Sequence, residues 1–335
     1  MADNSVLATN TLDISVLRGD LPTQAPPWIQ ATIETMVPVV YAFLGSRCDL
    51  SCPYCSLDEP STCWRGADEV QRAIAQGAAA GFDKLMLIGG EPTLRDDLPE
   101  LIERARSLGY RSITITTNGQ RLHDDDLRGR LLAAGLTHVQ ISLHAADPAT
   151  HDAVVDRAGA GARALASLDA CLGEPDLHVA LTSVIAAPTL EGLPAMIELV
   201  AAASKDRRTP IPYYLQVLRP VGRARAHLGE LVPDPPRLAE GLRGALALAD
   251  RRGVRALYTN LPVCVLPGLE LRSADRWLTN QRLTAEGQRI EFGHRREGYR
   301  KLAICDGCPH DATCVGIDAS WLALMDPQLL KAPAR

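Results

Sequence analysis

Cys48-Asp49-Leu50-Ser51-Cys52-Pro53-Tyr54-Cys55 places three cysteines in one short stretch, separated by three and then by two other residues. A loop this short can turn three sulfurs toward one centre, and converging thiolates bind a soft metal or an iron–sulfur cluster. A structural zinc site closes with four ligands, often as two C-x2-C pairs, whereas this loop offers a triplet. The bacterial ferredoxin run has a first gap one residue shorter than the gap here. The cysteines therefore predict a metal or cluster site, and the flanking sequence predicts where it sits.

Upstream, residues 37–44 form an apolar run that stops at Gly45, which predicts a buried strand delivering the chain into the cysteine loop. Downstream, Val70, Ile74, Gly77, Ala78 and Gly81 recur at helical spacing, with Asp68 expected to cap the helix and Gly81 to stop it. Residues 84–88 are a second short strand running into Gly89. The alternation then repeats. Leu98, Leu101, Ile102, Ala105 and Leu108 mark a helix stopped by Gly109. Strands follow at 113–116 and 139–143, separated by a helix through 127–134, and the next helix lies near 161–172. A strand at 179–185 precedes a helix carrying Leu193, Met196, Ile197 and Val200, and a sixth strand spans 213–218. Six strand–helix units at intervals of about 26–40 residues predict the α/β class, with a parallel sheet and right-handed crossovers. Six are too few for the closed eight-stranded barrel, so the expected architecture is an open (β/α)6 partial TIM barrel. Residues 1–36 read as a partly ordered arm and 37–234 as the barrel. Residues 235–335 read as a smaller C-terminal region that opens with a helix carrying Leu238, Leu242, Ala245 and Ala249. In such sheets chemistry sits at the carboxyl ends of the strands, where the cysteine loop falls.

The spacing C-x3-C-x2-C, with aromatic Tyr54 before the last cysteine, resembles the signature of the radical S-adenosylmethionine (SAM) superfamily. Gly89-Gly90-Glu91-Pro92 after the second strand resembles that family's GGE motif, which holds the methionyl amino group of SAM. Read from the residues alone, glycines there let backbone approach a ligand, and Glu91 offers an acceptor to an ammonium group. The resemblance covers roughly residues 37–220. It implies that Cys48, Cys52 and Cys55 hold a [4Fe-4S] cluster with one open iron, which SAM chelates. It further implies that Ser142 meets the SAM ribose and that backbone near Tyr54 and Gln216 meets the adenine. Asn118 closes the third strand and is placed to line the same pocket, although Asn118-Gly119 is equally a turn signal. Ser142 would serve equally to satisfy local backbone. Arg157 suits the SAM carboxylate, because a guanidinium fork matches that group, or lies on the surface. His144 and His151 read as structural. The chemistry implied is one-electron reduction of the sulfonium, with an electron donor such as flavodoxin or ferredoxin. It yields methionine and a 5′-deoxyadenosyl radical that abstracts a substrate hydrogen atom.

Cys305-Asp306-Gly307-Cys308-Pro309-His310-Asp311-Ala312-Thr313-Cys314, followed by Gly316, has the spacing C-x2-C-x5-C and resembles part of the SPASM/twitch extensions that house auxiliary [4Fe-4S] clusters. The full SPASM pattern has a further cysteine four positions on, where this sequence has Asp318. One auxiliary [4Fe-4S] cluster is therefore expected, with Cys264 as its fourth ligand. Structural zinc on the same four cysteines is the alternative, since an all-thiolate set also suits zinc. A second alternative makes Cys264 the thiol that returns a hydrogen atom to a substrate radical. Cys63 and Cys171 stand alone, Cys171 as a small buried hydrophobe.

The 335 residues suggest roughly two domains, with a core sustained by 46% hydrophobic residues. A net charge of −5 gives no basic footprint for nucleic acid, and no apolar run approaches a membrane span. Nine cysteines without a secretory signal point to a reducing, cytoplasmic setting. The leading functional expectation is a radical SAM oxidoreductase or epimerase. It would abstract hydrogen from a small molecule (a sugar, aminocyclitol or other secondary metabolite), in natural product biosynthesis. The alternative is a maturase of a ribosomally made peptide, catalysing cross-linking, epimerisation or decarboxylation. A non-enzymatic structural or sensory role for the clusters conflicts with the matching SAM loop.

Overall fold

The computed structural model describes residues 26–36, 39–57, 63–205, 207–276, 281–282, 298–311, 314–322 and 324. Helix α1 (Pro27–Met36) comes first. The short apolar runs then form β1 (Val40–Phe43), β2 (Lys84–Ile88), β3 (Ser112–Thr117), β4 (His138–Ser142), β5 (His178–Ile185) and β6 (Pro212–Val217). Between them run α2 (Ala67–Ala79), α3 (Leu98–Ser107), α4 (Asp125–Ala134), α5 (Pro148–Val155), α6 (Ala160–Leu172), α7 (Ala187–Leu190) and α8 (Leu193–Ser204). After β6 come α9 (Leu228–Leu231), α10 (Pro235–Arg252) and a seventh strand, β7 (Arg255–Thr259). Two further residues, β8 (Gln281–Arg282), pair with β1. The sheet has the order β7-β6-β5-β4-β3-β2-β1-β8, with every pair parallel.

The expected open α/β barrel is thus present, and it continues one unit beyond the six expected. Helix α10 buries Leu238, Leu242, Ala245, Leu246 and Ala249 and serves as the crossover into β7, which pairs with β6. Residues 235–259 therefore belong to the barrel sheet, although the sequence reading placed them in the C-terminal region.

Alternation along each strand separates two environments. Leu85 and Leu87, Ile113 and Ile115, and Val139 and Ile141 are buried against α2, α3, α4 and α6 in the main core. Their strand neighbours Lys84, Met86 and Ile88, Thr114 and Thr116, and Gln140 and Ser142 are only half-buried and face the concave side. Parallel sheets covered on both faces are normally apolar on both. Here β3 and β4 present Thr114, Thr116, Gln140 and Ser142 on the inner face, which marks a cavity rather than a packed layer beside those strands.

Helix α1 lies against that inner face. Ile29 packs on Tyr214 and Leu257, and Trp28 lies under the Arg272 guanidinium at 4.5 Å. The described part of the expected loose arm is therefore an ordered element of the barrel, and the remainder of residues 1–36 lies outside the described residues. Two local expectations also change. Gly66, not Asp68, occupies the cap of α2, with Asp68 inside the first turn. Helix α5 was not foreseen; Asp147 caps it by accepting from Thr150 N at 2.8 Å.

The C-terminal region docks on the barrel through β9 (Tyr299–Arg300), antiparallel to β10 (Ile317–Asp318), and through α11 (Ala319–Leu322). Trp321 Nε1 donates to Leu218 O at 2.8 Å, and Tyr299 OH donates to Asn260 Oδ1 at 3.0 Å. Among the described residues no helix is long and apolar enough to cross a membrane.

Candidate functional site

The loops after β1 and β2 are joined backbone to backbone. Leu44 N donates to Ile88 O at 2.7 Å, Gly90 N to Gly45 O at 2.9 Å and Glu91 N to Arg47 O at 2.8 Å. A Cβ on Gly90 would overlap Arg47 O, and one on Gly89 would overlap Gly45 O. The two glycines are needed because any side chain would force apart the stem of the cysteine loop and the strand beside it. Sequence reasoning assigned their closeness to a ligand; the structure assigns it to the cysteine loop itself.

Glu91 differs from its expected role. Its side chain is fully buried, and its carboxylate is taken by protein donors rather than open to an ammonium group. Oε1 accepts from Thr93 N (3.0 Å), Thr93 Oγ1 (2.6 Å) and Thr117 Oγ1 (2.7 Å), while Oε2 accepts from Asn118 N (2.7 Å). Burial raises its pKa, and the hydrogen bonds from Asn118, Thr93 and Thr117 pull it back down. Glu91 fastens the end of β3 to the loop after β2. Pro92, also buried, starts the turn that holds Thr93 in reach.

Asn118 carries that fastening to the cysteines. Its Nδ2 donates to Asp49 Oδ1 at 2.7 Å and lies 3.8 Å from Cys48 Sγ, which also accepts from Leu50 N at 3.4 Å. Arg157, a candidate for the SAM carboxylate, donates through Nη1 to Asp49 O at 2.9 Å and braces the same loop. Cys48, Cys52 and Cys55 are each half-buried, and Cys48 and Cys52 pack with Tyr54 against Leu50, Val155 and Ala160. Burial first, then neighbouring negative charges, pushes the Cys48 thiol up to about 12. Cys52 is pushed up to about 11 by burial, against a hydrogen bond from Tyr54. A metal or cluster bound there would have to displace these protons, because the thiolate is the ligand.

The aromatic position belongs to a network that sequence reasoning missed. Val184 N donates to His144 Nδ1 at 3.1 Å, so the neutral ring carries its proton on Nε2, 2.5 Å from Tyr54 OH. His144 N in turn donates to His151 Nδ1, and the two imidazoles stack with centroids 5.3 Å apart. Gly222 was also missed. With φ +59°, it lies against the Cys55 and Ser56 carbonyls, and Arg223 N donates to Leu57 O at 3.1 Å. A glycine soon after an apolar strand was the available signal. Ser142 ends β4 on the inner face, and Gln216 stands exposed on the inner face of β6.

A second group of cysteines lines one cavity: Cys264, Cys305, Cys308 and Cys314, together with Val263, Ile304 and Ile317. Leu302 N donates to Cys305 Sγ at 3.5 Å and Gly316 N to Cys314 Sγ at 3.4 Å. Burial and the charges of Cys314, Cys305 and Cys308 push Cys264 up to about 11. Asp318, at the position where the full pattern has cysteine, is buried and pairs with Arg219, Nε to Oδ2 at 2.5 Å. Among the described residues no three His, Cys, Asp or Glu side chains are grouped so as to hold a single metal ion.

Comparison with known proteins agrees with this geometry. Residues 43–184 match the family model of the Radical SAM superfamily. A PqqA peptide cyclase of Granulibacter bethesdensis is 33% identical over 191 residues, covering 55% of this chain and 50% of that protein. A "Probable GTP 3′,8-cyclase" of Sulfolobus acidocaldarius is 37% identical over 107 residues, 31% of this chain and 34% of that one. The chain thus spans half or less of the length of these curated relatives. The crystal structure of SuiB from Streptococcus suis bound to S-adenosylmethionine shares the fold, with a TM-score of 0.59 at 13% identity over 88% of this chain and 76% of that one.

Proposed function

We infer, from the premise that this chain is a radical SAM superfamily enzyme, that it acts on a peptide and holds one auxiliary cluster beside its radical site. Cys48, Cys52 and Cys55 would hold the [4Fe-4S] cluster. SAM would lie along the inner face past Gly89, Gly90, Ser142 and Gln216. The observation that carries the site is the glycine seam, which fixes the three-cysteine loop against the GGE backbone at the carboxyl end of the sheet. When bound, the cluster supplies the electron that splits SAM into methionine and a 5′-deoxyadenosyl radical. The chain's own residues position that site: Asn118 and Arg157 hold Asp49, Glu91 holds Asn118, and Tyr54 packs over Cys52. The half-buried polar positions of β3 and β4 on the inner face leave room for a substrate, and the walls around it must keep out stray hydrogen donors.

Cys264, Cys305, Cys308 and Cys314 would hold the auxiliary [4Fe-4S] cluster. Their shared cavity favours a ligand role for Cys264 over the hydrogen-donor role. The reading of the substrate as a peptide reverses the leading expectation from sequence. It is supported by the longer match to PqqA peptide cyclases and by the fold shared with SuiB, which has been seen bound to its precursor peptide SuiA with a TM-score of 0.53. The shorter match to a GTP cyclase keeps a small-molecule substrate as the second reading.

Anaerobic reconstitution should give about eight irons per chain, and about four if the C-terminal site holds zinc. Reductant and SAM should then give 5′-deoxyadenosine. A short peptide encoded beside this gene, added to the turnover, should change in mass with consumption of SAM. Mass change in a sugar or nucleotide instead, with the peptide untouched, overturns the peptide reading. No 5′-deoxyadenosine under any condition overturns the site itself.

A further inference from the structure

The barrel has a second mouth, at the amino ends of the strands, which the radical chemistry does not use. A cavity of about 110 Å³ opens there. On the liquid volume of about 30 Å³ per water, that is room for three or four waters, or one small oxoanion. Lys84, His138, His178, Arg207 and Arg255 line it, together with hydroxyl groups of Ser112, Thr114 and Tyr214. No carboxylate is among the described residues of that lining. Asp83, the neighbour of Lys84, accepts from Arg111 Nε at 3.0 Å and also lies in the field of the Lys84 charge.

These groups converge because of the strand register. Lys84 is the partner of Ser112, Thr114 of His138, His138 of His178 and Pro212 of Arg255, so each projects from the start of its strand onto the concave face. Lys84 to Ile88 at about 3.3 Å per residue sets this mouth roughly 13 Å from the cysteine end. The imidazoles of His138 and His178 stack at 4.5 Å and 18°. Arg207 is pinned by Leu172 O and Leu177 O at 3.0 and 2.9 Å. The Arg255 guanidinium has no hydrogen-bond or ion-pair partner among the described residues. Burial, then the charges of His178 and Lys84, lowers His138 to about 4. Cations gathered on low-dielectric walls focus a positive potential, which an anion relieves.

We propose that this mouth is a binding site for a phosphate group, held by the Arg255 fork, Lys84 and the paired imidazoles. The guanidinium is suited to two phosphate oxygens at once, and the Thr114 hydroxyl adds a donor, while Ser112 Oγ lies 3.2 Å from His138 Nδ1 and orients that ring. The occupant is either free phosphate or the phosphate of a larger molecule entering from the open side. The site does not depend on the identity of the radical substrate.

The test is calorimetric titration of the cluster-loaded protein with inorganic phosphate against chloride at matched ionic strength, repeated with adenosine 5′-monophosphate. Phosphate should bind saturably and raise the melting temperature, as any ligand of the folded state does. Arg255→Gln and His178→Gln should each weaken binding by about tenfold, the loss of one charge-assisted hydrogen bond. Both should keep the iron content and the rate of 5′-deoxyadenosine formation, which shows that the variants are folded. Tighter binding of the nucleotide than of phosphate points to a phosphoester occupant, and equal binding to the free anion; either supports the site. Responses to phosphate and chloride that match, or binding that both variants leave unchanged, overturn it.

Discussion

Glu91→Gln tests whether the carboxylate is the fastening between β2, β3 and the cysteine loop. The substitution preserves shape and removes one acceptor. With the amide oxygen in place of Oε1, the contacts to Thr93 N, Thr93 Oγ1 and Thr117 Oγ1 survive. The amide NH2 then faces Asn118 N, which donates to Oε2 at 2.7 Å in the parent, and two donors meet in a buried site. A hydrogen bond to a charged acceptor is worth about 1.5–3 kcal/mol, and a stranded buried donor costs about 1–3 kcal/mol. Against this stands the relief of removing a carboxylate from a fully buried position, where desolvation raises its pKa. The unpaired Asn118 N–H outweighs that relief, because three of the four donors are already satisfied by the neutral amide. The expected net loss is about 2–4 kcal/mol. Urea denaturation of the metal-free protein at pH 7 measures it without interference from the cluster. A second readout follows from Asn118 Nδ2, which holds Asp49 beside Cys48. Displacing Asn118 should lower iron uptake at the three-cysteine site while leaving the C-terminal site filled. Unchanged stability together with full iron content refutes the fastening role and returns Glu91 to direct contact with SAM.

Asp318→Asn and Arg219→Gln should each loosen the C-terminal region by about 2 kcal/mol. That lies between the values for buried and exposed pairs, because Arg219 is 29% exposed while Asp318 is 2% exposed. Amide hydrogen exchange over residues 314–322 should accelerate roughly thirty-fold in either single variant, with little further gain in the double variant. His144 and His151 are held neutral, their pKa lowered to about 3 and about 4 by burial, and for His144 also by the charge of His151. Both titrate near 6.5 when exposed, so the stability they contribute is whole above that pH and is lost as pH falls toward their folded values. The loss is about 1.4 kcal/mol per group per pH unit, and His151→Phe should halve the slope of stability against pH between about 6 and 5.

What the sequence made legible was whatever is carried by neighbours along the chain. Apolar runs ending in glycine located β1 to β6, and the cysteine spacing located the loop, because strand burial and loop geometry depend on adjacent residues. Helix α5 escaped notice because it is only eight residues long and its apolar buried residues, Val154 and Val155, both fall at its end; the Asp147-Pro148 start was the readable cue. Strand β7 was hidden because the helix before it is the crossover of a unit whose strand comes 38 positions after the end of β6. The roles of Glu91 and Tyr54 were not legible. Their partners lie 26–27 and 90 residues away, and only the register of the sheet brings them together. Glutamate after two glycines shows an acceptor; whether it faces a ligand or the protein depends on what β3 places opposite.

Asp318 is the residue whose meaning changed most, from a missing cysteine to a clamp. The segment after β6 explains why a carboxylate serves there. Leu218 O receives the Trp321 indole, Arg219 receives Asp318 and covers the Tyr299 ring at 5.6 Å, and Gly222 lies on the Cys55 and Ser56 carbonyls. Within positions 218–222, Leu218 and Arg219 therefore hold β10 and α11, and Gly222 backs the three-cysteine loop. A thiol at 318 would give the half-buried Arg219 guanidinium a weak partner, whereas the carboxylate gives it a charged one; against burial, hydrogen bonds from Ser320 and then Arg219 hold the acid's pKa below its usual range. Loss of that pair should loosen β10, which follows Cys314, and the segment that backs Cys55. The C-terminal strand pair and the three-cysteine loop thus pack on one loop that contains no cysteine. Damage at either end of that loop should register in the iron content of both cysteine groups.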